Sequence, residues 1–187
     1  MEKVTAAAFI QAWLDTVNLR RDYLLNIWRY PAQFTSYIKG KDNSIIEEVA
    51  NKLNLIAYAT DYYSIDTILY KKKDLVPGLN EGQFWFRDIR VAFEHENTFN
   101  EKLREETAHL LITNCDLRVL VSYPQNDEKE IRILNYLHEI IKGNRNSKAI
   151  SKEESFLLIF GYENGFEWNG YVYKEDMWKN LEGHNQE

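Results

Sequence analysis

Three acidic residues in the middle of this chain stand where a strand should want aliphatic side chains. The run DIRVAFEHEN begins apolar and then places Glu94, His95 and Glu96 at its end. Side chains on a strand alternate between faces, so Glu94 and Glu96 share one face with Ala92, while Ile89, Val91, Phe93 and His95 share the other. Upstream by 28 positions (94 − 66), Asp66 opens the β-rich run DTILY. Should these two strands be neighbours, Asp66 meets the Glu pair. Three carboxylates at one spot repel, and such crowding persists only with raised pKa values, a cationic partner or a bound divalent cation. Hard oxygen donors suit Mg²⁺ or Mn²⁺. An ion held there polarises a phosphodiester and activates water for in-line attack.

The elements that must position these residues read as follows. Thr5 caps an amphipathic helix carrying Phe9, Ile10, Trp13, Leu14 and Val17 at helical spacing. A second helical stretch covers Asp22–Trp28 and is broken by RYP, and KGKDN is a loop. Ser44 and Glu47 form a capping box at the start of SIIEEVANKL. Strands are expected near Leu55–Thr60 and Ser64–Lys71, and a third along QFWFRDIRVAFEHEN, after a Pro-Gly turn. Thr98 or Asn100 caps the helix EKLREETAHLLITN. LRVLVSYP is a continuous apolar strand of the kind buried on both faces. The run NDEKEIRILNYLHEIIKG is a helix closed by Gly143, GNRNSKAISKEE is a loop, and SFLLIFGYENGFEWNGYVYKED is a hairpin turning at Asn164-Gly165. The strand–helix–strand unit at the centre predicts an α/β layer.

With these residues in this order, the chain resembles the restriction-endonuclease-like superfamily, the PD-(D/E)xK nucleases. The family order of helix, three strands, helix, strand falls on Ser44–Tyr123. The resemblance implies a mixed sheet flanked by helices over residues 41–187, with residues 1–40 as an N-terminal helical extension. It assigns Asp66 to the motif Asp and Glu94 to the motif Glu. Glu96 takes the place of the usual Lys, and Glu47 that of an additional metal-oriented acid in some members. By this resemblance Asp66, Glu94 and Glu96 are catalytic, Asp66, Glu94 and Glu47 hold Mg²⁺ (or Mn²⁺), and the substrate is nucleic acid, DNA favoured. Ile65 stands where the family often has Pro. Lys71, Lys72, Lys73 and Lys102 are the candidates for the charge that Glu96 does not supply. Many such nucleases pair to cut both strands, so helix Ala6–Val17 suits a homodimer by analogy. The alternative is a nuclease-fold binding module without chemistry.

Plainer readings stand beside these. The capping box accounts for Glu47 by itself, and His95 belongs at the margin of a core. Asp88 and Arg90 form a local ion pair, and Lys71–Lys73 a solvated turn. The aromatic and basic run RRDYLLNIWRYP packs the N-terminal helices. HENTF lacks the second His of a zinc-protease signature. A net charge of −6, from 23 basic and 29 acidic residues, leaves no global field to attract nucleic acid. The single cysteine, Cys115, excludes an internal disulfide and a cysteine-rich zinc site and reads as a buried thiol. The N-terminal stretch has the character of neither a signal peptide nor a membrane span, so a cytoplasmic protein is expected.

Overall fold

A computed structural model of the chain describes residues 3–97 and 101–181. Seven strands form one mixed sheet whose spatial order follows the chain: β1 (Ile56–Tyr58), β2 (Thr67–Tyr70), β3 (Val91–Glu96), β4 (Leu117–Ser122), β5 (Phe156–Tyr162), β6 (Glu167–Lys174) and β7 (Met177–Leu181). The central trio β3, β4 and β5 is parallel, and every other pairing is antiparallel. Helices cover both faces. On one lie α1 (Ala6–Leu19), α2 (Arg21–Ile27), α3 (Pro31–Lys39) and α4 (Ile45–Lys52), packed on Leu69, Val91, Phe93, Val119 and Ile159. On the other lie α5 (Glu101–Ile112), α6 (Asp127–Lys142) and α7 (Ser147–Lys152), packed on Ile68, Ala92, Leu120, Leu158 and Phe160. The result is an α/β fold of three layers.

Residues 1–40, expected as an extension, supply α1, α2 and α3 to the same layer as α4. Their aromatic side chains explain why. Trp13 is fully buried, with its ring 5.9 Å from Phe93 and 5.4 Å from Trp168. A helix expected to end at RYP instead restarts there, because Pro31 at the first helical position gives up only an N–H that has no intrahelical partner anyway. The result is α3, which falls within the helical region expected over residues 1–40 and ends at the start of the expected loop KGKDN. SKAISK, expected as loop, forms α7, and MWKNL adds β7 beyond the hairpin. The long third strand shortens to β3 alone; upstream of it, residues 71–90 form a 3-10 turn at Lys72–Asp74 and one bridge between Leu75 and Phe86. The proposed caps Thr98 and Asn100 lie outside the described residues. Ser44, by contrast, closes its capping box with Glu47, and Asn126 caps α6 through Lys129 N–H.

Arg90 ties down the irregular segment. Its guanidinium forks onto Asp74 at 2.8 and 2.6 Å and reaches Asp88 at 2.9 Å and Asp116 at 3.4 Å. The expected Asp88–Arg90 pair is thus one edge of a larger charge knot. The hydrogen bonds from Arg90 hold the Asp74 carboxyl below its ordinary range. Both partners of the fork are buried, and removing one strands the other's charge away from water. Arg90→Met should therefore lower the unfolding free energy by about 3–5 kcal/mol, measured by urea denaturation; a loss below about 1 kcal/mol would mean that the knot is solvated in solution.

Candidate metal centre at the end of β3

Strand pairing brings the two acids together. Thr67 of β2 lies opposite Phe93 of β3, so the antiparallel register carried one step further sets Asp66 level with Glu94. The backbone N–H of Asp66 donates to Glu94 Oε2 at 3.3 Å. Asp66 turns its own carboxylate to the His95 backbone N–H (3.0 Å) and to Lys39 Nζ at the end of α3. Glu94 points to the α5–α6 face and is completely buried, and among the described residues its Oε1 has no hydrogen-bond partner. A buried carboxylate oxygen without a donor is costly unless the group is protonated or meets a cation.

Helix α5 completes the surroundings. Glu106 and His109, one helical turn apart, project on the same side toward the sheet. Their ligand atoms and those of Glu94 all lie within 4.8 Å of one another. His109 Nδ1 is 3.4 Å from Glu106 Oε2. Two carboxylates and an imidazole at this spacing can hold a divalent ion, with the nitrogen donor shifting preference from Mg²⁺ toward Mn²⁺ or a later transition metal.

The electrostatics follow from burial. Loss of water, then repulsion from Asp66 and from Glu106, pushes the Glu94 carboxyl from its ordinary 4.5 up to about 10. Burial and the charge of Asp66 raise Glu106 as well, against the hydrogen bond from His109. His95, on the opposite face, moves the other way: burial and the nearby Lys39 lower its imidazole to about 3, so it stays neutral. Its Nε2 is 2.9 Å from the Tyr123 hydroxyl, and its ring packs against Phe34 at 6.2 Å. His95 is a core-margin residue, as its place among Val91 and Phe93 suggests.

Of the acids singled out from the sequence, the fold brings Asp66 and Glu94 together. Glu96 shares their strand end and face but lies outside the group formed with Glu106 and His109. Glu47 spends its two oxygens on the backbone N–H groups of Ser44 (3.1 Å) and Asp42 (3.3 Å). It lines an open polar hollow with Arg20, Asn43 and Glu48. Lysine comes from an unexpected place: Lys39 pairs with Asp66, while Lys72 and Lys73 are exposed on their turn. Glu106 and His109 escaped the sequence reading, although a trace of them was visible. They interrupt the stripe Leu103, Thr107, Leu110 that α5 buries against the sheet. Cys115 is half-buried, and its thiol is pushed up to about 11, chiefly by burial, which makes it a poor nucleophile.

No protein-family model matches the chain, and neither a curated protein nor a solved structure does. Among the described residues, no helix is long and apolar enough to cross a membrane.

The raised Glu94 carboxyl makes stability depend on pH. Below about 4.5 the group is protonated in the folded and unfolded chains alike, whereas from there to about 10 the folded chain alone keeps the proton. The folded state binds more protons, so its stability must fall as pH rises through that window. Metal-free protein should lose several degrees of melting temperature between pH 5 and pH 9, and Glu94→Gln should flatten that slope. An unchanged slope in the Gln variant would place the titration elsewhere.

Proposed function

We propose that this protein is a metal-dependent nuclease that hydrolyses phosphodiester bonds of DNA at the end of β3. The observation that carries the reading is the orphaned oxygen of Glu94, fully buried between Asp66 on one side and Glu106 and His109 on the other. A chain that needed only a stable sheet would gain by having Leu at this place. The element order α4, β1, β2, β3, α5, β4 supports the same reading. It is the order that the restriction-endonuclease-like resemblance implies, with Asp66 and Glu94 in the positions of the motif acids.

Glu94, Glu106 and His109 would hold the cation, and Mn²⁺ suits this mixed oxygen and nitrogen set better than Mg²⁺. When bound, the ion supplies Lewis acidity to a phosphoryl oxygen and lowers the pKa of water. The protein's own groups do the rest. Asp66 orients Glu94 by donating its backbone N–H. Lys39 places a positive charge on the Asp66 carboxylate, where the family's motif Lys would otherwise contribute. Helix α5 carries two of the donors on one rigid face, so the cradle does not have to be assembled from loops.

Calorimetric titration with Mn²⁺ should show one site, weakened at least tenfold in Glu94→Gln and in His109→Ala. Cleavage of single- and double-stranded DNA should require Mn²⁺ or Mg²⁺ and fall at least a hundredfold in Glu94→Gln and Asp66→Asn. Wild-type protein that binds Mn²⁺ yet cleaves neither substrate would instead favour the non-catalytic binding module. Wild-type protein that binds no metal at millimolar concentration would overturn the site itself.

A further inference from the structure

We propose that Tyr63 is a stacking platform for an unpaired base of single-stranded DNA whose backbone lies at the Asp66–Glu94 site. The inference rests on the nuclease reading and adds what holds the substrate.

Tyr63 occupies a conformation that its side chain does not favour. Residues Tyr62–Ile65 form a two-residue hairpin turn, with Tyr62 N–H donating to Ile65 O at 3.0 Å and Ile65 N–H returning to Tyr62 O at 3.1 Å. Both central residues are left-handed, Tyr63 at φ 51° and Ser64 at φ 66°. Such turns strongly prefer Asn-Gly, and a bulky aromatic residue is among the poorest choices. Burial does not compensate for the strain, because Tyr63 is 73% exposed.

The surroundings nonetheless hold the turn and give the ring one aromatic neighbour. Asp61 accepts the Ser64 N–H at 3.3 Å and pins the turn. Tyr63 meets Tyr62 edge-on at 4.9 Å, and Tyr62 in turn meets Phe86 at 4.9 Å and Tyr58 at 6.1 Å. A solvent-facing aromatic ring thus stands on a packed aromatic pile, three residues before Asp66. Local sequence rules broken without a gain in packing point to function.

Charge supplies the reason such a platform is needed. The chain carries a net −6, and Lys39, the cation at the site, is already paired with Asp66. Phosphate contacts alone therefore cannot provide the affinity that basic nucleic-acid-binding proteins draw from counterion release. Base stacking is independent of net charge and tolerant of sequence, but it requires a base free of its partner strand. Single-stranded DNA meets that requirement.

The test uses the full chain and a single-stranded DNA of about 12 nucleotides containing 2-aminopurine, within the usual site size for such binding. Titration with Ca²⁺ in place of Mn²⁺ follows binding without turnover. Wild type and Tyr63→Trp should bind and quench the fluorescent base. Tyr63→Asn and Tyr63→Gly, which suit the turn, should bind at least fivefold more weakly without quenching, with melting temperatures equal to or above wild type. Affinity in both variants equal to wild type, while Mn²⁺-dependent cleavage persists, would overturn the stacking role and leave the nuclease reading intact. Wild-type protein that neither binds the oligonucleotide nor cleaves any DNA would bring down both.

Discussion

A parallel strand trio has no face to spare for water. β3, β4 and β5 are covered by α1–α4 on one side and α5–α7 on the other, so each of their side chains enters a medium that solvates charge poorly. On β4 every residue from Leu117 to Ser122 is buried, and on β5 every residue from Phe156 to Gly161. Glu94 is set into this layer opposite Leu120. The raised carboxyl, the convergence of Glu106 and His109, and the pairing of Asp66 with Lys39 all follow from the cost of that one placement. The parallel strands also end at the same edge, and open α/β sheets bind ligands outside the carboxyl ends of their strands. Glu94 stands at that edge.

Two kinds of buried charge occur in this protein, and they differ in how they are balanced. The Arg90 knot matches its cation with Asp74 through two short hydrogen bonds and adds Asp88 and Asp116 around it. That arrangement is self-sufficient and holds residues 71–90 to the sheet. Around Glu94, a buried carboxylate oxygen accepts no hydrogen bond among the described residues, and the carboxyl must keep a proton or find a metal. The contrast separates a structural ionic cluster from a candidate functional one without reference to any relative, since a stabilising network closes its own hydrogen bonds.

Much of the frame was legible because it depends on local patterns. The capping box at Ser44, the alternation in VAFEHE, the apolar run of β4 and the amphipathic α6 each carry their own signal. The meeting of Asp66 with Glu94 could be anticipated from alternation plus one assumed strand pairing. Other parts depended on information that local patterns do not hold. Pro31 marks both a break and a start, and only tertiary packing of Phe34 and Ile38 decides for α3. Lys39 therefore read as the start of a loop rather than as the end of α3. Glu106 and His109 could be assigned to the site only once the rotation of α5 about its axis was known, and that rotation is set by Leu103 and Leu110 against the sheet. Tyr63 falls between the strands expected at Leu55–Thr60 and Ser64–Lys71, and no local pattern shows that a bulky residue at this reversal is left-handed and exposed.

Helix α1 lies near the beginning of the chain but touches β5 and β6 near its end, and Gly170 of β6 leaves room for Ile10 where a Cβ would come within 2.9 Å. During synthesis, Phe9, Trp13 and Val17 therefore emerge from the ribosome well before Ile159, Trp168 and Val172, the strand residues of the same core. Until those strands arrive, α4 and Phe93 cover only part of this aromatic helix face. The packing of α1 is thus completed only by strands made long after it, and premature release would leave part of that face exposed to aggregation.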